Sequence, residues 1–339
     1  METHKQIVIE SIKHHNIDII PYNIEFTINA HEKMSNYYGD ENFTNNLGNF
    51  LFVLRAEPEN SFIEIAPNIF RDYFGVEWNR TVDKDIGVVC NTLVNKDNVK
   101  DFTFPEPDNP LIYKTFKEEI PKNKDKFIVA SLGFSLFERA WSLAGMENVL
   151  MSMAIDKDFI NDLLDRILEY NLKVIENCCK FEIDAMIFGD DWGEQKGIIM
   201  GPKTWREIIK PRVKQMYEKV KSYGKYVFIH SCGKVDELFP DLIECGVDVF
   251  NPFQPEVIDV IEAKKRYGNY LTFYGGISTQ HTLPFGTTED IKKEVINLLR
   301  NVGKNGGLIA APSHAIPGDA KPENINAMIE ILKNQNKYL

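Results

Sequence analysis

Residues 225–233 read Lys225-Tyr226-Val227-Phe228-Ile229-His230-Ser231-Cys232-Gly233, a β-branched and aromatic run that ends in small and polar residues. Such a run is typical of a buried strand that leads into a loop. Outward from it, similar runs occur at 126–132, 184–190, 247–251, 270–275 and 307–311. Longer helical patterns separate them, and this alternation predicts parallel strands joined by crossover helices. Strands in this order predict either a barrel or an open doubly wound sheet.

The helices between these strands have clear patterns. From Asp158 to Cys178, apolar residues keep the i, i+3, i+4 spacing, which predicts one buried helix face rather than a cofactor site. Thr288-Glu289-Asp290 is a start signal for a helix over 288–302. Another helix is predicted to begin at Lys321-Pro322-Glu323-Asn324, with proline in the first turn.

The first 120 residues are less regular, with several prolines among aromatic and acidic residues. We expect a first barrel strand near Ile19 to Glu25, followed by helical and hairpin elaborations. The chain has 339 residues, a length that barrels of alternating strands and helices commonly absorb as one domain.

Composition narrows the function classes. The formal net charge is −11 and the basic residues are scattered, so we expect no nucleic-acid partner and no membrane surface. No run approaches the roughly 18 apolar residues of a membrane span. The N-terminus lacks the apolar region of a signal peptide, so we expect a cytoplasmic protein. The five cysteines are irregularly spaced, which favours free thiols over a disulfide framework.

The end of the run at 225–231 carries two candidate metal ligands. His230 and Cys232 are two residues apart on an extended chain and therefore point to the same side. Imidazole and thiolate suit zinc, and a catalytic zinc site uses three protein ligands with a fourth position open. The alternative for this pair is a buried cysteine beside a hydrogen-bonded histidine.

A third candidate ligand, His314, follows the last predicted strand in the loop Pro312-Ser313-His314. In a parallel barrel, both this loop and the one after Ile229 open at the C-terminal edge of the sheet, where active sites of that fold lie. His314 is therefore predicted to reach the same metal. A loop histidine bound to a backbone carbonyl is the alternative.

The segment 189–195, Gly189-Asp190-Asp191-Trp192-Gly193-Glu194-Gln195, ends another predicted strand. Asp190 and Asp191 are the catalytic candidates. Since neighbouring strand residues point apart, we expect only one of them to face the site, where it would orient substrate, act as a general acid or complete the metal ligands. Carboxylates that cap a turn or a helix are the alternative.

Further residues at strand ends are candidates for contact with substrate. They would offer an aromatic wall, amide groups and close approach of the backbone at a glycine. These residues are Trp192, Gln195, Asn251, Gln254 and Gly276.

Four motifs resemble those of the uroporphyrinogen decarboxylase superfamily: His230-Ser231-Cys232-Gly233, Val249-Phe250-Asn251-Pro252, Tyr274-Gly275-Gly276-Ile277 and Ala311-Pro312-Ser313-His314. The resemblance covers about residues 125 to 335. It implies an α/β fold, a (β/α)8 TIM barrel that forms a single domain over 1–339. Residues 1–120 would hold the first strand and irregular elaborations, and residues 121–339 the regular barrel.

The superfamily has two branches. One decarboxylates a porphyrin precursor without metal, and the other moves methyl groups to or from corrinoid proteins with zinc. Members of the decarboxylase branch carry an arginine-rich loop that binds the carboxylates of their substrate. The matching residues of this chain, 21–31, contain no arginine. His230 and Cys232 match the zinc methyltransferases that serve coenzyme M, and His314 stands where those enzymes have a second cysteine. This exchange favours activation of a methylated donor over methylation of a thiol.

The resemblance thus implies a zinc-dependent methyltransferase that moves a methyl group from a small donor, at best guess a methoxy aromatic, to a corrinoid protein. Zinc would act as Lewis acid and Asp190 or Asp191 as proton donor. The expected cofactors are zinc and a corrinoid (cobalamin) carried by the partner protein, and a homodimer is left open. The alternatives are a metal-free uroporphyrinogen-type decarboxylase, a methylcobamide:thiol methyltransferase and a noncatalytic corrinoid-binding relative.

Overall fold

The computed structural model describes residues 2–339. In chain order its strands are β1 Leu51–Arg55, β2 Phe62–Ala66, β3 Ile69–Asp72, β4 Glu77–Asn79, β5 Val88–Val89, β6 Phe127–Leu132, β7 Ala185–Gly189, β8 Tyr226–His230, β9 Val249–Phe253, β10 Thr272–Ile277 and β11 Leu308–Pro312. The helices are α1 His4–Ile12, α2 Ile28–Tyr38, α3 Lys114–Glu119, α4 Phe137–Ala144, α5 Met146–Ile155, α6 Lys157–Cys179, α7 Pro202–Thr204, α8 Lys210–Ser222, α9 Phe239–Glu244, α10 Val260–Tyr267, α11 Thr282–Phe285, α12 Thr288–Leu298 and α13 Pro322–Lys333.

The main sheet has seven strands in the order β1-β6-β7-β8-β9-β10-β11. Every neighbouring pair is parallel. The six strands from β6 to β11 confirm the strands predicted from the sequence, within two residues at either end. An open doubly wound sheet would reverse its strand order at a switch point. The order here runs in one direction, so this α/β fold is wound like a TIM barrel.

The expected first strand near Ile19 to Glu25 is not formed. Instead, residues 20–27 are an irregular extended segment that makes isolated parallel bridges, Tyr22 to Ala310 and Phe26 to Ile316. Pro21 has no N–H to donate, and the Asn49 side chain exchanges two hydrogen bonds of 3.0 Å with the backbone of Ile24. A side-chain amide thus replaces a strand partner, which interrupts the ladder.

The segment nevertheless lies between the two edge strands of the sheet. The Ala310 N–H donates to the Pro21 carbonyl at 2.8 Å, and the Asn23 N–H donates to the Ala310 carbonyl at 3.1 Å. On the other side, the Phe50 N–H, next to β1, donates to the Tyr22 carbonyl at 3.1 Å. Residues 20–27 therefore occupy the gap between β11 and β1 without pairing as a regular strand.

The predicted hairpin elaborations form a second sheet of four antiparallel strands, β2-β3-β4-β5. Asp72 at the end of β3 binds it to the main body, because its Oδ2 accepts from Trp78 Nε1 at 3.2 Å and from Arg139 of α4 at 3.3 Å. Both members of the Asp72–Arg139 pair are buried. The Arg139 guanidinium also lies 3.8 Å from the centre of the Phe74 ring.

The helices pack their apolar faces on the main sheet. Leu163, Leu164 and Ile167 of α6 are fully buried, as the spacing predicts for a core face. Within residues 2–339, none of the helices combines the length and apolar character that crossing a bilayer requires.

Candidate metal centre

The side chains of His230, Cys232 and His314 converge at the C-terminal edge of the main sheet. Their ligand atoms all lie within 4.8 Å of one another, and His230 Nε2 is 3.5 Å from Cys232 Sγ. In a tetrahedral zinc site with Zn–N near 2.0 Å and Zn–S near 2.3 Å, a nitrogen and a sulfur ligand stand about 3.5 Å apart. The three residues therefore fit a zinc ion, and they leave a fourth position for a small molecule.

Strand geometry positions the first two ligands. His230 ends β8 and is opposite Gly189 of β7 and Asn251 of β9. Ser231 then points the other way, is fully buried, and accepts from the Trp192 N–H at 3.0 Å through its Oγ. The alternation returns Cys232 to the side of His230.

Two backbone hydrogen bonds position the loop that carries His314. The Ser313 N–H donates to the Ile277 carbonyl at the end of β10, and the Ile316 N–H donates to the Glu25 carbonyl, both at 2.8 Å. His314 thus sits between β10 and the segment 20–27. Its ring centre is 5.6 Å from that of His230.

A chain of hydrogen bonds sets the tautomer of His230. Asn251 Nδ2 donates to the Tyr274 carbonyl at 3.0 Å, which places Asn251 Oδ1 toward His230. His230 Nδ1 lies 2.5 Å from that oxygen and must donate to it, because an amide oxygen only accepts. Nε2 is left with its lone pair directed at the Cys232 sulfur, the arrangement that a histidine ligand needs.

The protonation states of the other two ligands differ. The His314 ring is accessible to solvent but lies in a concave site, and burial followed by the nearby His230 lowers its pKa. Burial, and then the Asp191 carboxylate, raises the pKa of the Cys232 thiol. Neutral His314 is ready to bind a metal, whereas Cys232 must release its proton on binding.

The structure separates the two catalytic candidates. Asp191 lies beside the metal ligands: its Oδ1 accepts from the Cys232 N–H at 2.8 Å and is 3.9 Å from His230 Nε2. Asp190 is fully buried and faces α4, where its Oδ1 accepts from the Glu138 N–H at 2.8 Å and its Oδ2 from Trp192 Nε1 at 2.6 Å. Burial raises the pKa of Asp190 to about 6. Its position is that of a helix cap rather than of a group that touches substrate.

Two candidates for substrate contact lie elsewhere. Trp192 is fully buried, with its ring centre 5.1 Å from that of Trp205, so it belongs to the core and does not wall a substrate site. Gly276 is also buried, and a Cβ there would lie 2.6 Å from Leu298 of α12. The missing side chain thus makes room for a helix rather than for a ligand.

The remaining three candidates have different surroundings. Asn251 contacts His230 directly, and buried Gln254 accepts from the Gly233 N–H at 3.3 Å through its Oε1. Both amides therefore support the loop that carries Cys232. Gln195 is exposed, three residues from the buried Trp192.

Two acidic residues at this edge of the sheet are not predicted as site residues by any sequence pattern. Glu138 lies in the first turn of α4, and burial together with the Asp191 and Asp190 carboxylates raises its pKa. Glu25 lies in the segment 20–27, where burial raises its pKa against the opposing effect of His230. Lone glutamates in an irregular segment and at a helix start have no spacing that marks them as functional.

A parallel α/β sheet wound in one direction, with His230, Cys232 and His314 gathered at its C-terminal edge, is the arrangement found in barrel-like enzymes, whose active sites lie at that edge. The model of the family "Uroporphyrinogen decarboxylase (URO-D)" matches residues 70–335, which is most of the chain. The chain belongs to this family, as the sequence motifs predicted.

Relatives from both branches are similar to the chain. The methylcobamide:CoM methyltransferase MtaA of Methanosarcina barkeri is 30% identical over 132 residues, 39% of this chain and 36% of that protein. The chain thus matches about a third of that relative's length. A uroporphyrinogen decarboxylase of Chlorobaculum tepidum is 24% identical over 247 residues, 69% of this chain and 68% of that protein.

A solved structure shares the whole fold. A methyltransferase from Methanosarcina mazei superposes with a TM-score of 0.76 at 18% identity, over 99% of this chain and 100% of the other. At this identity the similarity establishes the fold. Family membership, similarity to a corrinoid-linked methyltransferase and the fold agree with one another.

Proposed function

We propose that this protein is a zinc-dependent methyltransferase that moves a methyl group from a small methylated donor to a corrinoid protein. The observation that carries the proposal is the cluster of His230, Cys232 and His314, whose ligand atoms lie within 4.8 Å of one another. The similarity to MtaA supports a corrinoid partner. A methoxy aromatic is the donor that we favour, because a site with two imidazoles and one thiolate is less thiolate-rich than one built for methylating thiols.

A zinc ion at this site would supply a Lewis acid for the atom that the methyl group leaves. The protein supplies positioning and protons. Asn251 keeps Nε2 of His230 available, and Asp191 lies at the same cluster within 3.9 Å of that atom. Neighbouring Glu138, whose pKa is raised by burial, can return a proton to the leaving group through Asp191.

The metal assignment is tested by elemental analysis. We expect about one zinc per chain in the purified protein, and a loss of at least about ten-fold in zinc affinity when His230, Cys232 or His314 is replaced by alanine. Cys90→Ser is the matched control, because Cys90 is an exposed thiol outside the cluster. Full zinc retention in all three alanine variants would overturn the assignment.

Methyl transfer is tested with reduced corrinoid and a panel of methoxy aromatics, methylamines and methyl thiols. Formation of methylcobalt is followed by its absorption spectrum. We expect transfer from at least one oxygen-linked donor and none in the Cys232→Ala variant. A panel without any transfer contradicts the proposal.

A metal-free decarboxylase is the second candidate, and the similarity to uroporphyrinogen decarboxylases over 69% of the chain favours it. It requires a cationic pocket for several carboxylates. The segment 21–31 has no arginine, and Glu25, Glu138 and Asp191 lie at the sheet edge. Decarboxylation of uroporphyrinogen that survives removal of zinc would select this function.

The finer description of the fold is likewise proposed. The segment 20–27 is bound to β11 and to the residue before β1. We infer that it fills the eighth position of a closed (β/α)8 barrel over residues 1–339.

A further inference from the structure

A second polar cluster lies beside the candidate ligands and has no part in the proposed metal chemistry. Asn23 Nδ2 donates to Glu25 Oε1 at 3.0 Å and to the Tyr274 hydroxyl at 2.8 Å. Asn23 and Glu25 are two residues apart in the extended segment 20–27, so both side chains point to the same side. Polar groups from this segment and from β10 thus meet at one place.

Two short connections place this cluster next to the metal ligands. The Glu25 carbonyl accepts from the N–H of Ile316, two residues beyond His314. The Tyr274 carbonyl accepts from Asn251, the residue that binds His230. The segment with Glu25 and the strand with Tyr274 are therefore bonded directly to the loop of His314 and to the partner of His230.

Asn23 supplies an independent sign of a ligand. Its side chain is buried, with 3% of the residue exposed, and its Oδ1 has no hydrogen-bond partner among residues 2–339. Its Nδ2 already donates to both neighbours, which fixes the amide orientation. A buried amide oxygen without a donor is unfavourable, so this acceptor is suited to an O–H or N–H from a bound molecule.

The charges around the cluster select among ligands. Glu25 is accessible to solvent, and its Oε1 is held by Asn23 Nδ2 at 3.0 Å, so its carboxylate is fixed at the wall of the cleft. Asp191 and Glu138 add carboxyl groups on the other side of the metal ligands. Arg55, which lies near Glu25, is 3.5 Å from Glu57 and already paired with it. A carboxylate in this cleft would lie near the Glu25 and Asp191 carboxylates, whose like charge opposes its binding.

We propose that Asn23, Glu25 and Tyr274 form a subsite that binds a hydroxyl or ammonium group of the methyl donor and discriminates against donors that carry a carboxylate. The subsite rests on the proposed methyltransferase function and names its substrate class. Glu25 Oε1 and Asn23 Oδ1 accept from the donor's polar group. The methyl-bearing atom is then directed to the open position at His230, Cys232 and His314.

The test uses three ring-matched donors, para-methoxyphenol, para-methoxybenzylamine and para-methoxybenzoate, with the zinc-loaded protein and reduced corrinoid. We expect kcat/KM for the benzoate to be lower than for the other two by about ten-fold or more, because its carboxylate would lie beside the Glu25 carboxylate. Glu25→Gln should narrow the ratio of kcat/KM between the other two donors and the benzoate by about ten-fold. The change should come mainly through the KM of the donors, because the substitution removes the charge and keeps the shape of the side chain.

Glu182→Gln is the matched control. Glu182 precedes β7 at the opposite end of the sheet, and 78% of its side chain is exposed. We expect an unchanged ratio for this variant. Thermal unfolding of Glu25→Gln separates a change in selectivity from a loss of folding.

A second readout, calorimetric binding of the demethylated products, keeps failure of the subsite distinct from failure of the proposed function. Methyl transfer that prefers the benzoate, or a ratio that Glu25→Gln leaves unchanged, overturns the subsite while the methyltransferase stands. A benzoate preference that disappears in Arg55→Ala would place the carboxylate at Arg55 instead. If no donor is demethylated, the proposed methyltransferase function fails. Binding of the phenol or amine product then tests the subsite alone: weaker binding by Glu25→Gln supports the subsite, and equal binding overturns it.

Discussion

Asn251 binds His230, a ligand of the proposed zinc site, through one hydrogen bond. Asn251→Ala removes the acceptor that fixes the His230 tautomer, so we expect zinc affinity to fall by about 10- to 100-fold. Competition with a chromophoric chelator measures this loss. Asn251→Asp keeps an acceptor for Nδ1 and should stay closer to the wild type. Equal zinc affinities of the wild type and Asn251→Ala would mean that the other contacts of the His230 ring suffice to position it.

Asp190 makes stability depend on pH. Its pKa is about 6 in the folded protein because of burial, above about 3.9 in an unfolded chain. Between these values the folded state keeps a proton that the unfolded state has released, so stability falls as pH rises through this window. The fall is about 3 kcal/mol and is complete above the folded pKa.

Urea unfolding of the wild type and Asp190→Asn between pH 4 and 8 checks this expectation. The variant cannot ionise at this position, so the difference in unfolding free energy between the two proteins should change by about 3 kcal/mol across this pH range. It also loses the bond from Trp192 Nε1 in one of its amide orientations, which shifts its stability equally at every pH. Parallel curves for the two proteins would show that Asp190 does not titrate in this range.

At the level of the strand, Gly276 tests whether β10 is shaped by packing or by a ligand. Its φ is +98°, and a Cβ would lie 2.6 Å from Leu298 Cδ1. Gly276→Ala should therefore destabilise the protein by about 1–3 kcal/mol without altering zinc affinity in the folded fraction. Gly197→Ala is the control, since a Cβ there meets nothing within 4 Å. A stable Gly276→Ala that binds donor poorly would restore the ligand role predicted from the sequence.

Regular elements could be predicted from the sequence because each is set by contiguous residues. The runs that form β6 to β11 carry their own pattern, and alternation alone placed His230 and Cys232 on one side. The same rule says only that Asp190 and Asp191 point apart. It cannot say which one faces the site, because that depends on α4, whose first turn binds Asp190.

Irregular elements depend on partners that are distant in sequence. The sequence predicts a first strand near Ile19 to Glu25, but the Asn49 side chain takes the hydrogen bonds of Ile24. Glu25 reaches the site through this segment and through its bond from Ile316. No local pattern around Glu25 contains that information, so the subsite it forms was missed.

For the molecule as a whole, the attachment of the antiparallel sheet depends on the buried Asp72–Arg139 pair. Removing one partner leaves a buried charge, so we expect Asp72→Ala to cost about 3–5 kcal/mol, measured by denaturant unfolding. The control is Glu77→Ala, which breaks the more exposed pair with Arg71 in the same sheet and should cost at most about 1 kcal/mol. Similar costs for the two variants would mean that the apolar packing of the sheet suffices.

The contacts between the two ends of the chain constrain how the protein is made. The Ser11 hydroxyl donates to the Leu308 carbonyl across 297 residues of sequence, and the segment 20–27 binds Ala310 and Ile316. While the ribosome is still adding β9 and β10, the early segment lacks its partners in β11 and the following loop, and the growing sheet has an open edge that invites aggregation. The bonds between this segment and β11, and the arrival of His314, are therefore late events of synthesis. A chain that stops before β11 would lack one of the three proposed zinc ligands.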